Sequence, residues 1–364
     1  MHAIETKYHI FDELLPPAVK AGEFIIAAIG LDHIHIVGMC KELIVAGATL
    51  KSVYDPDPKK VEHFLSCFSD ATVHVAASEQ EVLNDTDIHL IASACIPFNR
   101  AELGIRVMEA GKDFFVDKTP MVTLQQLEKV KKVQARTGQK YAVYYCERLH
   151  TETGVVAERL IKQGAIGKVI QTIGLGPHRL NVSTRPSWFF KKEQYGGILC
   201  DIGSHQAEQF LFYTGATDAE IANAHVENYK NPKHPEFEDF GDCNLIANNG
   251  ATGYFRVDWL TPDGLSIWGD GRLTILGTDG YMELRPYIDV ARDKTSGHIY
   301  LVTHDGEYHI PVHGKVGFPY FGQLILDCMY RTETAMTQIH AFKAAELCIK
   351  AQMYADAKNK KRDV

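Results

Sequence analysis

The segment Gly30-Leu-Asp32-His33-Ile-His35 follows a continuous apolar run and opens a stretch of helical spacing. In a dinucleotide-binding unit, glycines at such a turn let the backbone approach the pyrophosphate, which then rests on the N–H groups of the helix N-terminus. Here Gly30 holds the first glycine position, while Asp32 and His35 fall at the second and third. A carboxylate beside a pyrophosphate is unfavourable unless it points away or is paired, and His33 is its nearest partner in sequence. Asp55 ends the next apolar run twenty-five positions after Gly30, near the ~20 expected of a carboxylate that accepts ribose hydroxyls and repels a 2′-phosphate. Asp55-Pro56-Asp57-Pro58 also reads as a turn and helix cap, and the two readings are compatible. Asp32, His33 and His35 invite a metal reading as well. Histidines two apart splay on a strand or lie far around a helix, and no third ligand stands at a defined spacing, so no metal is expected.

Two further groups carry chemistry. Asp117-Lys118-Thr119-Pro120 follows a later apolar run, and a lysine at the carboxyl end of a parallel strand lies where such sheets bind ligands. Asp201 and His205 stand four apart at a helix start and share one face. An imidazole titrates near ~6.5 and suits proton transfer around neutrality. Each has a plainer reading: Lys118 as a solvated strand cap, Asp201 as the N-cap of a helix entry.

The elements that would position these groups alternate in the first half. Apolar runs at 24–29, 50–54, 72–75, 88–92, 114–116 and 141–145 alternate with helical spacing at about 33–46, 58–67, 80–84, 98–110 and 121–137. Strands alternating with helices imply right-handed βαβ crossovers and a doubly wound parallel sheet. That pattern stops near Cys146. A helix at about 151–163 then precedes strand-like stretches at 168–176, 219–228, 241–247, 251–258, 272–277 and 280–284, with Asn248-Asn-Gly250 and Thr278-Asp-Gly280 as hairpin turns. The second half is expected to be α+β on a mostly antiparallel open sheet, closing with helix over about 318–357. The expected division is an extension over 1–20, a Rossmann-type unit over 21–146 and an α+β unit over 147–364.

Asp117-Lys118-Thr119-Pro120 and Gly196-Gly-Ile-Leu-Cys-Asp201-Ile-Gly-Ser-His205-Gln-Ala-Glu208, in this order behind a Rossmann-like half, resemble the Gfo/Idh/MocA oxidoreductase family. There a Glu-Lys-Pro motif and a Gly-Gly-x-x-x-Asp-x-Gly-x-His-x-x-Asp motif meet across the domain cleft. The resemblance spans about residues 22–357. Asp117 replaces the family's Glu, Thr119 is inserted before the proline, and Glu208 replaces the last Asp. The glycine fingerprint keeps only Gly30. The resemblance implies NAD as cofactor and Lys118, Asp201 and His205 as the catalytic set, with a base for the hydroxyl proton and a donor that orients the oxygen. Which of Lys118 and His205 passes the proton stays open here. It places further cofactor contacts on Ala94, Cys95, Pro97, Asn99 and Arg100, beside Asp117 and Lys118. Substrate contacts are expected from Glu147, Arg148, His178, Arg185 and Trp188, while Trp259 and Trp268 read as core or interface packing.

The implied activity is oxidation of a secondary hydroxyl of a sugar, glycoside or cyclic polyol, with ring carbon 3 of a glucoside as a specific guess. A glycosidase that oxidises its substrate transiently and a non-catalytic nicotinamide sensor are the rivals. Composition agrees with a globular enzyme: 364 residues, 45% hydrophobic and 23% charged. Thirty-eight Lys and Arg against 46 Asp and Glu leave a net charge of −8, which lacks the basic footprint of nucleic-acid or anionic-membrane binders. Residues 1–13 hold no apolar run of signal-peptide length, and no window is long and apolar enough for a membrane helix. Eight scattered cysteines read as reduced thiols, so a cytoplasmic location is expected. The family further implies a homo-oligomer.

Overall fold

The computed structural model describes residues 7–11, 15–68 and 72–360. Much of the 1–13 stretch and the end of the basic tail at Lys361 and Arg362 therefore lie outside the described residues. No helix among those described is long and apolar enough to cross a membrane. The chain divides into two compact units, one holding 16–144 with 319–342, the other 1–15, 145–318 and 343–364.

The first unit is built on β1 (Ile25–Ile29), β2 (Thr49–Tyr54), β3 (His74–Val75), β4 (Leu90–Ser93), β5 (Asp113–Asp117) and β6 (Tyr141–Tyr144). Their order is β3-β2-β1-β4-β5-β6, and the pairings are parallel. This is the doubly wound dinucleotide-binding order, with its topological switch between β1 and β4. The connecting helices are α1 (His35–Val45), α2 (Pro58–Ser66), α3 (Glu79–Asn84), α4 (Pro97–Glu109) and α5 (Leu124–Thr137). Local chemistry sets their ends. Asp57 caps α2 by accepting from Lys59 N ahead of Pro58, and Thr123 caps α5 by accepting from Gln126 N. Strands β4, β5 and β6 are buried throughout, which explains their unbroken apolar runs.

The second unit is built on α6 (Glu152–Lys162), β7 (Val169–Pro177), α7 (Gly203–Thr214), β8 (Ala219–Glu227), β9 (Phe240–Ala247), β10 (Thr252–Asp258), β11 (Arg272–Gly277), β12 (Gly280–Arg285), β13 (His298–Thr303) and β14 (Gly306–Pro311). The eight strands run in the order β14-β13-β12-β11-β7-β10-β9-β8. Only the β7–β10 pair is parallel. Strands β13 and β14 go beyond the expected set. His304-Asp305 turns between them, and His298, Tyr300 and His309 dilute their apolar alternation, although Ile299, Leu301 and Ile310 are fully buried. Those three pack with Val156 and Leu160 of α6 in a core that also takes Tyr8 and Ile10, so the described part of the leader is a packed strap. Arg159 holds it by donating to Ile10 O at 2.8 Å.

The units are discontinuous in sequence where continuous ones are expected. Helix α8 (Pro319–Tyr330) and the first turn of α9 (Gln338–Lys360) belong with the parallel sheet. Arg331 holds the Asp113 carboxylate at 2.7 and 3.0 Å. The Gln338 amide accepts from Tyr141 N at 2.6 Å and donates to Tyr141 O at 3.0 Å, closing hydrogen bonds that β6 leaves open at the sheet edge. The rest of α9 packs with the second unit, where Gln352 Nε2 donates to buried Glu238 at 3.0 Å.

Candidate active site

At the carboxyl ends of β1 and β4, Gly30 has φ +76, and a Cβ there would meet Cys95 Cβ at 2.5 Å. Only glycine lets the two turns press together. Ala94 ties them, donating from its N–H to Gly30 O and accepting from His33 N, each at 3.0 Å. Asp32 is paired, though by a residue other than His33. Its Oδ1 lies 2.6 Å from Lys60 Nζ, and its Oδ2 accepts from Ile96 N at 3.2 Å. Lys60 sits on α2, out of sequence reach of the turn. Burial would lower the pKa of its ammonium, but the Asp32 hydrogen bond and the charges of Asp32, Asp55 and Asp57 together outweigh it and raise it.

His33 turns instead to Asp117, Nδ1 to Oδ2 3.4 Å, and His35 Nδ1 meets Oδ1 at 2.9 Å. Asp117 is the third metal-competent group that sequence spacing lacks. Its Oδ2 also accepts from Arg100 at 3.0 Å, so an ion there would share the carboxylate with a fixed positive charge. Burial would raise the Asp117 carboxyl, but the charges of His35 and Arg100 outweigh it and hold it well below the usual carboxylate range. Burial, then the neighbouring His35 ring, pushes His33 well below its ordinary value.

The fit to a dinucleotide rests on α1. Its N-cap Ile34 makes no side-chain cap, and its first turn holds no acidic residue. With Asp32 neutralised, that helix start and the close turns suit a pyrophosphate. Asp55 accepts from Leu31 N at 2.7 Å and from Asp57 N at 2.9 Å, so both oxygens serve the local chain and each keeps a second lone pair. Arg100 departs from expectation. It is 1% exposed and donates to the carbonyls of Cys95, Asp117, Lys118 and Thr119, clamping the segment that carries Lys118. Asn99 is exposed at the start of α4, behind buried Pro97. Lys118 is buried, and its peptide bond to Thr119 is cis.

In the second unit, Gly196 and Gly197 have φ +89 and +88 and reverse the chain into a short helix, Ile198–Asp201, followed by α7. This is the physical need behind the Gly-Gly pair. Against α7 lies the turn Cys146–Leu149 after β6. Cys146 Sγ is 3.8 Å from His205 Nε2, and Glu147 Oε2 accepts from Gln206 Nε2 at 2.9 Å. Arg148 donates from Nε to both Glu208 oxygens at 2.8 and 3.0 Å and stacks on Phe212. Arg148 is thus an internal tie rather than a substrate contact. Glu208 suits its place because its longer side chain reaches that guanidinium. Gln206 fits because β7 passes beneath it as Gly174, where a Cβ would meet its Oε1 at 1.9 Å.

Other expected residues gather around the same helix. His178 Nδ1 pairs with Gly176 O at 3.2 Å, its Nε2 is 3.9 Å from Glu147, and its ring packs on Trp259 and Trp268. Arg185 lies over Phe189 and Trp259; burial lowers its pKa, and the Asp201 charge offsets part of that. Trp188 is half-buried against Phe189. Trp259 is buried as expected, whereas Trp268 is 36% exposed between His178 and Tyr287, a placement sequence patterning does not signal.

A model of an oxidoreductase family with an NAD-binding Rossmann fold matches residues 27–145, and a GFO/IDH/MocA C-terminal domain model matches 155–283. The crystal structure of an oxidoreductase from Erwinia carotovora atroseptica SCRI1043 is 52% identical, with a TM-score of 0.88, covering 92% of this chain and 99% of that one. D-xylose dehydrogenase of Paenarthrobacter nicotinovorans is 26% identical over 196 residues, 52% of this chain and 48% of its own. D-glucoside 3-dehydrogenase of Escherichia coli (strain K12) is 29% identical over 140 residues, 37% of this chain and 38% of its own. The chain thus spans half or less of these two curated relatives. Both halves match models of one family, and a half-identical relative matches along nearly the whole length; the chain belongs to the Gfo/Idh/MocA oxidoreductase family.

Proposed function

We propose that the protein oxidises one secondary hydroxyl of a sugar, glycoside or cyclic polyol with NAD as acceptor, or runs the ketone reduction in reverse. The observation that carries this reading is the grouping around α7 of His205 and Glu147 with the faces of His178 and Trp268. Aromatic faces suit the apolar C–H side of a sugar ring, and carboxylates suit its hydroxyls. The sugar-acting relatives support the class, and D-glucoside 3-dehydrogenase favours ring carbon 3 of a glucoside.

When bound, the nicotinamide accepts hydride from the substrate carbon. In this reading His205 takes the hydroxyl proton as general base. Lys118 hydrogen-bonds the reacting oxygen and stabilises its developing negative charge. Asp201 orients a neighbouring hydroxyl. Lys60 cancels one of the two carboxylates Asp32 and Asp55, leaving one negative charge that disfavours a 2′-phosphate and supports NAD over NADP. The test is a panel of sugars, glycosides and inositols scored by cofactor absorbance with NAD and NADP. Turnover with NAD is expected. Turnover with NADP alone would overturn the cofactor choice, and no reduction with any member of the panel would overturn the activity.

A further inference from the structure

Three consecutive residues of the turn after β6 dock on α7 in order: Cys146 on His205, Glu147 on Gln206 and Arg148 on Glu208. The Arg148 and Glu208 side chains are 5% and 0% exposed, so this rung resists sliding. A buried ion pair with two-point geometry holds its register because a shifted partner would leave a charge uncompensated. That register delivers Cys146 Sγ to 3.8 Å from His205 Nε2. His205 is buried, whereas Cys146 is half-buried.

We propose that Cys146 is a positioning residue for His205, and that its thiol is a modification site for soft electrophiles through which His205 is disabled. The proposal rests on the role of His205 as base in the function proposed above. A thiol and an imidazole at this separation share one proton, and the imidazole draws it from sulfur when an electrophile arrives. With iodoacetamide, Sγ forms a bond to the methylene carbon, iodide leaves, and the thiol proton passes to Nε2 and on to solvent. The carboxamidomethyl group then fills the space beside Nε2. Cys67 supplies an internal contrast. It is also half-buried, but its Sγ donates to the His63 carbonyl at 3.4 Å, which holds the proton on sulfur. Cys40 and Cys200 are fully buried, and burial pushes their thiols up.

The first experiment needs no turnover. Peptide-mapped alkylation by iodoacetamide at neutral pH should modify Cys146 about tenfold faster than Cys67, and His205→Gln should slow Cys146 by about the same factor without changing Cys67. Equal Cys146 rates in the two proteins would overturn the pairing. The second uses whichever sugar gives NADH. Cys146→Ala should lower kcat about tenfold with KM for both substrates and Tm unchanged, and Cys146→Ser should not recover the loss, because its shorter C–O bond leaves the hydroxyl out of hydrogen-bond reach of Nε2. Unchanged kcat in Cys146→Ala would overturn the positioning role. Absence of turnover in the unmodified protein would overturn the functional reading instead, and the alkylation rates would still decide the thiol–imidazole pair.

Discussion

The two ends of the parallel sheet carry similar charged residues and use them oppositely. At the amino ends of the strands lies a cavity of about 810 Å³ lined by Lys112, Asp113, Arg331 and His89 among others. Its cations are engaged by the chain itself. Lys112 Nζ donates to Ile88 O at 3.1 Å, and Arg331 donates to Cys328 O at 3.0 Å as well as to Asp113. Cys328 O stands in the last turn of α8, where positive charge is favourable. At the carboxyl ends the bare start of α1, the neutralised Asp32 and the Lys118 segment clamped by Arg100 converge. The charged residues at the amino ends thus serve the fold, and those at the carboxyl ends are the ones the proposed function uses.

That contrast is open to test. Lys118→Ala at the carboxyl end should lower kcat by about a thousandfold while leaving Tm and NADH binding nearly intact, as steady-state kinetics and fluorescence titration would show. A variant that kept its rate would remove Lys118 from the chemistry. Asp117→Ala should cost about 3 kcal/mol in denaturant unfolding, because Arg100 would be left buried with its charge uncompensated.

The same carboxylate gives a pH signature. A group whose folded pKa is depressed stabilises above its unfolded value and loses that contribution as pH falls through the folded one. For Asp117 the loss should begin below about pH 4, and Asp117→Asn should remove that part of the pH dependence. Arg331→Ala, at the amino end, should cost about 1–2 kcal/mol of stability and leave kcat unchanged. A fall in kcat there would erase the distinction between the ends. Lys60→Gln should weaken NADH binding by about threefold to tenfold, more at low salt, by returning the Asp32 charge to the pyrophosphate turn.

The parallel half was legible because its strands are buried on both faces and its helices carry their own caps, as at Asp57 and Thr123. Strands β13 and β14 were not, because His298, Tyr300 and His309 occupy positions where alternation would show. The site divided in the same way. Lys118, Asp201 and His205 stand in motifs that a resemblance reads directly. The Lys60–Asp32 pair, the Asp117 cluster and the Cys146–His205 contact join residues 28, 84 and 59 positions apart or nearly so.

The sequence alone determined the alternation that makes a doubly wound sheet, the family motifs and the acidic balance that disfavours polyanionic partners. Each depends on local periodicity or composition, which no distant contact needs to complete. Tertiary structure alone decided that 319–342 closes the parallel sheet, that Asp32 is neutralised by Lys60, and that Arg100 and Arg148 are internal clamps. Those outcomes depend on which buried charges meet, and a buried charge is tolerated only where the fold supplies a partner from elsewhere in the chain.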